Sequence, residues 1–436
     1  MPDSWFLPAS ISLPASRIDG TLGLRRALRV SHERVVPGIG GLRFVRQAAW
    51  ACAAIDLAQK AQQPALTNIR VANALEALAC KLVFYGGGPA EEERPRVRGV
   101  TRLGISHSEP GQWAYAHLHE PKHYVSQPFR QSTTASLTED VGLGFVAAGP
   151  MRFNTMKLSQ RGTDLADAFL EQRASRSYLR TVLTQWLSEP NPQASGNTVL
   201  ATRDALLNVM RPSRASEQER VTVQRCLALP LNKQQAPHMS GDQQRRTRIY
   251  SWLAELGGQA EDLTIDDLER HLTGAHSAAA DAHWVACQEN FYLERFMHAA
   301  RAVLEALIGA FREGASTCSL QALAASEAIH QACLQYGATG AAYDRFLHTH
   351  PSFRIASLSL DPTQSASQRI VEQVAAQVPL LLHREGDKLV AGALMRTPPS
   401  VEVDRTLLDQ HDMREGTWLP RRLLQLRGLT LECLYG

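Results

Sequence analysis

No pair of cysteines in this chain is spaced as C-x-x-C, and the seven cysteines (52, 80, 226, 287, 318, 333 and 433) make an odd, scattered set. That excludes a disulfide framework and fits free thiols in a reducing cytoplasm, mostly as core fillers. Long apolar runs are missing too. The best of them, "AAWACAAIDLA", is too short and too polar at its edges to cross a bilayer. The opening "MPDSWFLPASISLP" has no basic region, and Asp3 and two prolines interrupt it, so it does not read as a signal peptide. There is no Walker lysine motif, no G-x-S-x-G elbow and no H-E-x-x-H. "PGIGGLRFVRQ" lacks the third spaced glycine of a dinucleotide loop. These absences leave a globular protein, since hydrophobic content is 44% and charged content 20%, an ordinary balance that argues against disorder.

Charge is nearly balanced at +3, but it is uneven. Residues 94–180 carry 12 Lys/Arg and 7 Asp/Glu, a local +5, which leaves −2 for the remainder. A basic segment in a near-neutral chain points weakly to a polyanionic partner; a solvated face is the plainer explanation.

Helical periodicity dominates. Residues 42–60 and 68–84 are Ala/Leu-rich and broadly apolar, as buried helices are. Glycines 86–88 and the glutamates 91–93 mark an exposed break. A helix is expected over 175–188, started by Ser175 or Ser177, and "EPNPQASGN", 189–197, reads as a linker. The second half is expected to be nearly all helix, including 264–273, 279–313, 319–335, 340–348, 364–383 and 415–430, with "FRIASLSL", 353–360, as its one strand. In helix 279–313 Leu293, Phe296, Ala300, Val303, Leu307 and Ala310 recur at three and four, a core stripe or a seam for a protein partner or a second copy. The expected division is 1–67, a helical segment; 68–188; and 198–436, a helical bundle.

The most legible stretch is 126–172. A polar-faced helix is expected over about 128–142, with Gly144 as its left-handed cap. Short strands at 145–148 and 152–159 flank the turn signal Gly149-Pro150. Asn154, Met156 and Leu158 would share one strand face, with Phe153, Thr155 and Lys157 on the other. Ser159 would cap a helix striped by Leu165, Ala166, Phe169 and Leu170. Helix, strand, turn, strand, capped helix resembles a winged-helix domain, and "KLSQRGTDLADAF" is similar to the LT-x-x-G segment that closes such domains. About 40 residues separate helix 68–84 from the polar helix, so "RVRGVTRLGIS" would supply a missing element and 106–123 an insertion. The resemblance implies that the helix before the wing enters a DNA groove, presenting Arg130, Gln131, Ser132, Thr133 and Thr134. The wing would offer Arg152, Asn154 and Lys157, and Arg94, Arg96, Arg98 and Arg102 would add phosphate contacts. Glu139 and Asp140 would oppose such contact.

"YAHLHEPKHY" holds His117, His119 and His123. On a strand the first two would share a face, and three imidazoles around an open position would suit zinc or another divalent metal. Glu120-Pro121-Lys122 is an E-x-K string of the kind metal-dependent nucleases use, but the near upstream acids, Glu109 and Glu91–Glu93, lie in loop-like contexts. Arg345…His350 and Arg270…His276 match a helical-RNase spacing that chance also produces among 15 histidines. "RRTR", 245–248, and "PRRLLQLR", 420–427, read as basic helix faces.

The chain is therefore expected to be mainly α: a winged-helix-like N-terminal half with a small β-hairpin, then an α-helical bundle. The expected function is a non-catalytic DNA-binding or DNA-associated subunit of a multi-protein bacterial assembly, with double-stranded DNA and protein partners, no membrane and no required cofactor. The alternatives are an interaction scaffold without nucleic acid and a metal-dependent nuclease.

Overall fold

Alanine lets two helices bury nearly their whole circumference. In the computed structural model, helix α2 (Val45–Ala61) buries every residue from Val45 to Ala58, and α3 (Asn68–Tyr85) buries Asn68 and all of Val71 to Val83. Small side chains allow this close approach from several sides. Thr67 starts α3 by accepting a hydrogen bond from the Arg70 backbone N–H. The structure describes residues 22–99, 103, 109–120, 128–139, 142–149, 152–228, 241–273, 282–312, 316–354, 359–392 and 419–436. The chain forms two units: unit 1 is Met1–His32 with Thr264–Pro420, and unit 2 is Glu33–Leu263 with Arg421–Gly436. The chain passes from the first to the second within α1 (Arg25–Val35).

In unit 2, α3, α5 (Phe129–Leu137) and α6 (Gln160–Leu170) pack on α2, and the single turn α4 (Tyr115–Leu118) lies against α3. A two-stranded hairpin, β1 (Arg173–Ala174) and β2 (Ser177–Tyr178), leads into α7 (Leu179–Ser188). Then come α8 (Pro192–Leu200), α9 (Arg203–Met210), α10 (Glu217–Ala228) and α11 (Gly241–Leu256), and the C-terminal α17 (Arg421–Tyr435) returns against α11. The expected linker 189–197 is mostly α8: Asn191 accepts from the N–H groups of Gln193 and Ala194, and Pro192 sits at the first helical position. What reads as punctuation is an N-cap.

Unit 1 is built on α13 (Ala282–Arg312) and α15 (Glu327–Thr349), with α12 (Ile265–Thr273) beside α13. Leu293, Phe296, Ala300, Val303 and Leu307 are all buried in its core, so the stripe of α13 is used inside the unit. Phe296 packs between Tyr336 at 4.9 Å and Tyr343 at 6.1 Å between ring centroids.

The strands of this unit are not where the pattern places them. Residues 351–353 form a 3-10 turn, and 355–358 lie outside the described residues. Instead β3 (Thr317–Ser319) runs into α14 (Leu320–Ala325), and α16 (Ser367–Ala376) is followed by β4 (Leu382–Glu385) and β5 (Lys388–Ala391). The sheet is antiparallel with β5 in the middle, in the order β3-β5-β4. The expected helix 364–383 stops at Ala376, and the apolar run after it turns into strand because Glu385 pairs with Lys388 across Gly386, whose φ of 64° suits a tight hairpin. Among the described residues no helix is long and apolar enough to cross a membrane.

Candidate nucleic-acid interface

Helix α5 is anchored from inside. Phe129 is buried against Trp50 at 5.9 Å, and its backbone N–H donates to Glu76 at 2.8 Å. Thr133 is fully buried and accepts a 2.7 Å hydrogen bond from Gln47 Nε2, and the Gly41 N–H donates to the Ser132 carbonyl. Arg130 is half-buried and donates through Nε to Asn73 Oδ1 at 2.9 Å; Thr134 is half-buried and donates to the Arg130 carbonyl. Of the five side chains expected to face a groove, Gln131 and Ser132 are exposed. Thr133 belongs to the packing face, which a polar-looking helix concealed. The helix also ends at Leu137, with Glu139 exposed beyond it and Asp140 outside the described residues.

Among the described residues the expected two-stranded wing shows one antiparallel bridge, Val146↔Leu158. The Ala147 N–H donates to the Lys157 carbonyl at 2.9 Å and the Ser159 N–H to the Phe145 carbonyl at 3.1 Å. Between them Phe153–Thr155 is a 3-10 turn, so Phe153 and Met156, three apart, are both buried. The expected strand faces are corrected accordingly, because a turn of three residues, not a pleat of two, sets which side chains go in. Arg152, Asn154 and Lys157 are exposed, but Asn154 Oδ1 accepts the Ile69 N–H at 3.0 Å and so caps α3. Ser159 accepts from the Gly162 N–H, as expected of a helix cap. A Cβ at Gly162 would lie 1.9 Å from the Phe145 carbonyl oxygen, which is why the glycine stands there.

The arginines at 94–102 divide as well. Arg94 is exposed. Arg96 reaches the buried Glu432 at 3.3 Å and lies over the Phe44 ring, and Arg98 approaches the buried Glu76 at 3.7 Å. Burial pushes the Glu432 carboxyl above its ordinary value, and Arg96 opposes that shift. Arg102 lies outside the described residues.

His117 and His119 fall on and just after a helical turn, not on a strand, so a two-residue spacing sends them in different directions. The His119 ring stacks on Tyr115 at 5.1 Å, and its Nδ1 lies 3.1 Å from the Tyr115 carbonyl. His123 and Lys122 lie outside the described residues, among which no three His, Cys, Asp or Glu side chains are grouped to hold a metal ion. Arg345 is exposed while His350 packs on Phe346 and Phe353; Arg270 pairs with Asp267, and His276 lies outside the described residues.

Two features were missed by sequence reasoning. One is the β1–β2 hairpin, which replaces the first turn of the helix expected over 175–188. Its signal, "RASRSY", has no Gly or Asn at the tip. The other is the network of internal arginines. Arg180 is held by Asp56, Asp167 and Glu171, and Arg211 by Glu93. Arg46 and Glu219 form a fully buried pair with nitrogens and oxygens 2.9 Å apart. Burial lowers the Arg46 guanidinium and raises the Glu219 carboxyl, each opposed by the other's charge. A shallow cleft of about 520 Å³ between α6 and α10 is lined by Arg161, Asp164, Glu171, Gln218 and Arg225.

By unit, the chain divides its charge sharply. Unit 2 carries 30 Lys/Arg against 22 Asp/Glu, a net +8, and unit 1 carries 16 against 21, a net −5. No family model, curated protein or solved structure matches this chain.

Proposed function

We propose that this protein is a non-catalytic, DNA-associated subunit of a multi-protein assembly, and that unit 2 makes the contact. One observation carries the reading: Arg94, Arg152 and Lys157 are exposed without a carboxylate partner among the described residues, in a unit where Arg46, Arg96, Arg98, Arg180 and Arg211 brace buried acids. Free cations in a net +8 unit are what a phosphate backbone needs. Exposed Gln131 and Ser132 on α5 supply hydrogen-bonding groups of the kind that read base edges. The order of α5, the 146/158 bridge and the capped α6 is similar to that of a winged helix. In unit 1 the succession α13, β3, α14, α16, β4, β5, with α15 inserted and β5 central, is similar as well.

A protein-docking reading is favoured for unit 1 by its net −5. The test is fluorescence anisotropy of the full chain with a short duplex at two salt concentrations. Arg94→Ala/Arg152→Ala/Lys157→Ala is expected to flatten the log-log salt slope by about 3 relative to wild type. Salt-independent or undetectable binding by wild type would sink the proposal.

A further inference from the structure

The hairpin at 173–178 buries Ala174 and leaves its other five residues exposed. An element that adds so little to the core is kept for what it presents. Across the two strands Arg173 faces Tyr178, and the guanidinium lies 5.1 Å from the ring centroid, so cation and aromatic form one stacked surface. Tyr178 stays 44% exposed, a large ring left in solvent. Arg176 projects at the tip, and no carboxylate occurs from 172 to 178; Glu171, just before, is already held by Arg180 at 2.7 Å.

The tip itself is strained. Ser175 has a φ of 68°, with Ala174 and Ser177 paired around a two-residue loop, a position where glycine is the ordinary choice. The backbone holds Arg176 and Ser177 outward at that cost.

We infer that the β1–β2 hairpin is a second DNA contact of unit 2, one that takes unpaired DNA: Arg173 and Arg176 bind phosphates, and the Arg173–Tyr178 surface stacks against an exposed base. The inference rests on the DNA-associated reading above. Aromatic side chains interleaved with cations are the general means of holding a single strand, because every base offers a flat face. The negative phosphates match the local charge, and the exposed ring matches the base.

The test uses the full chain with a single strand and with a duplex, each at two salt concentrations. Arg173→Ala/Arg176→Ala is expected to weaken single-strand binding roughly tenfold and to flatten the salt slope by about 1.4, since each neutralised phosphate contributes ~0.7 on a single strand. Tyr178→Ala is expected to weaken it roughly tenfold with the slope unchanged, and Tyr178→Phe to bind as wild type, because stacking needs the ring and not the hydroxyl. If the Arg94/Arg152/Lys157 variant loses binding while the hairpin variants keep wild-type affinity and slope, the hairpin inference is overturned and the broader reading stands. If wild type binds neither DNA, both fall. All the substituted side chains are exposed, and circular dichroism of each variant checks that the fold is retained.

Discussion

Buried carboxylates in the two units have different partners on show. In unit 2, Asp56, Glu76, Glu93, Glu219 and Glu432 are each met by an arginine: Arg180, Arg98, Arg211, Arg46 and Arg96. In unit 1, Glu289 is met by the hydroxyls of Ser31 and Tyr343, and Glu294 by His32 at 2.7 Å. Unit 1 also relies on a stack of rings around Phe296. The contrast teaches that a basic unit is not a uniformly basic surface. Several of the arginines that make unit 2 positive are structural, and only the remainder can meet a polyanion.

The sharpest way to break the comparison is to remove one partner of a buried pair. Arg46→Met leaves Glu219 buried without its counter-charge, and should cost unit 2 about 3–5 kcal/mol. Phe296→Ala should cost unit 1 a similar ~3–5 kcal/mol by a different route, an unfilled cavity. Urea unfolding followed by a probe in each unit checks both. The double change Arg46→Met/Glu219→Leu separates the mechanisms: it should recover part of the loss, because an apolar pair removes the desolvation burden while the carbonyls of Val209 and Arg214 and the Ser216 N–H lose their partners. If the double variant is no better than the single one, the pair is not the staple described here.

A smaller effect is expected at Gly162, where the Phe145 carbonyl occupies the place of a side chain. Gly162→Ala should destabilise unit 2 by about 1–3 kcal/mol through forced displacement, with Ala166 as an already-alanine control position on the same helix. Equal stability of wild type and variant would mean that α6 is free to move away from the bridge.

The least effect, near neutrality, comes from pH. Burial raises the Cys80 thiol to about 12 and Cys226 to about 11 from an ordinary 9, and raises Cys52 and Cys433 as well. These thiols stay protonated in the folded state while the unfolded chain ionises. Their contribution is therefore whole below about pH 9 and declines as pH rises through 9 to 12. Lys81, lowered to about 8 by burial, acts oppositely, because its neutral form is favoured on folding and stability from this group increases between about 8 and 10.5. In unit 1 Cys333 is likewise raised to about 11. With four such thiols against one lysine, unit 2 should lose midpoint in denaturant above pH 9 more steeply than unit 1. Replacing Cys52 and Cys80 with alanine should flatten that dependence.

Much of the helical content was legible, and the reason is visible in particular residues. The alanine and leucine runs of α2 and α3, the cap at Ser159 and the stripe of α13 are local patterns, and local patterns survive into the fold. The hairpin Leu382–Ala391 was hidden because "VPLLLHREGDKLVAG" carries an apolar run that extends the preceding helix on paper, while only a pairing partner, β3 some 70 residues earlier, makes it a sheet. The candidate interface was legible by type and not by position. Arg94, Arg130, Arg152 and Arg96 look alike in a sequence, yet Arg130 is bonded to Asn73 and Arg96 to Glu432, residues 57 and 336 positions away.

Amino-acid order alone determined that this chain is helical, where several of its helices begin, and that its positive charge gathers in the first half. Only the tertiary structure decided which cations are structural and which are free, that Thr133 faces inward, and that a short Arg-Tyr hairpin stands in solvent. The physical reason is that helix formation depends on neighbours within four residues, whereas the availability of a charge depends on whichever distant carboxylate the fold brings to it.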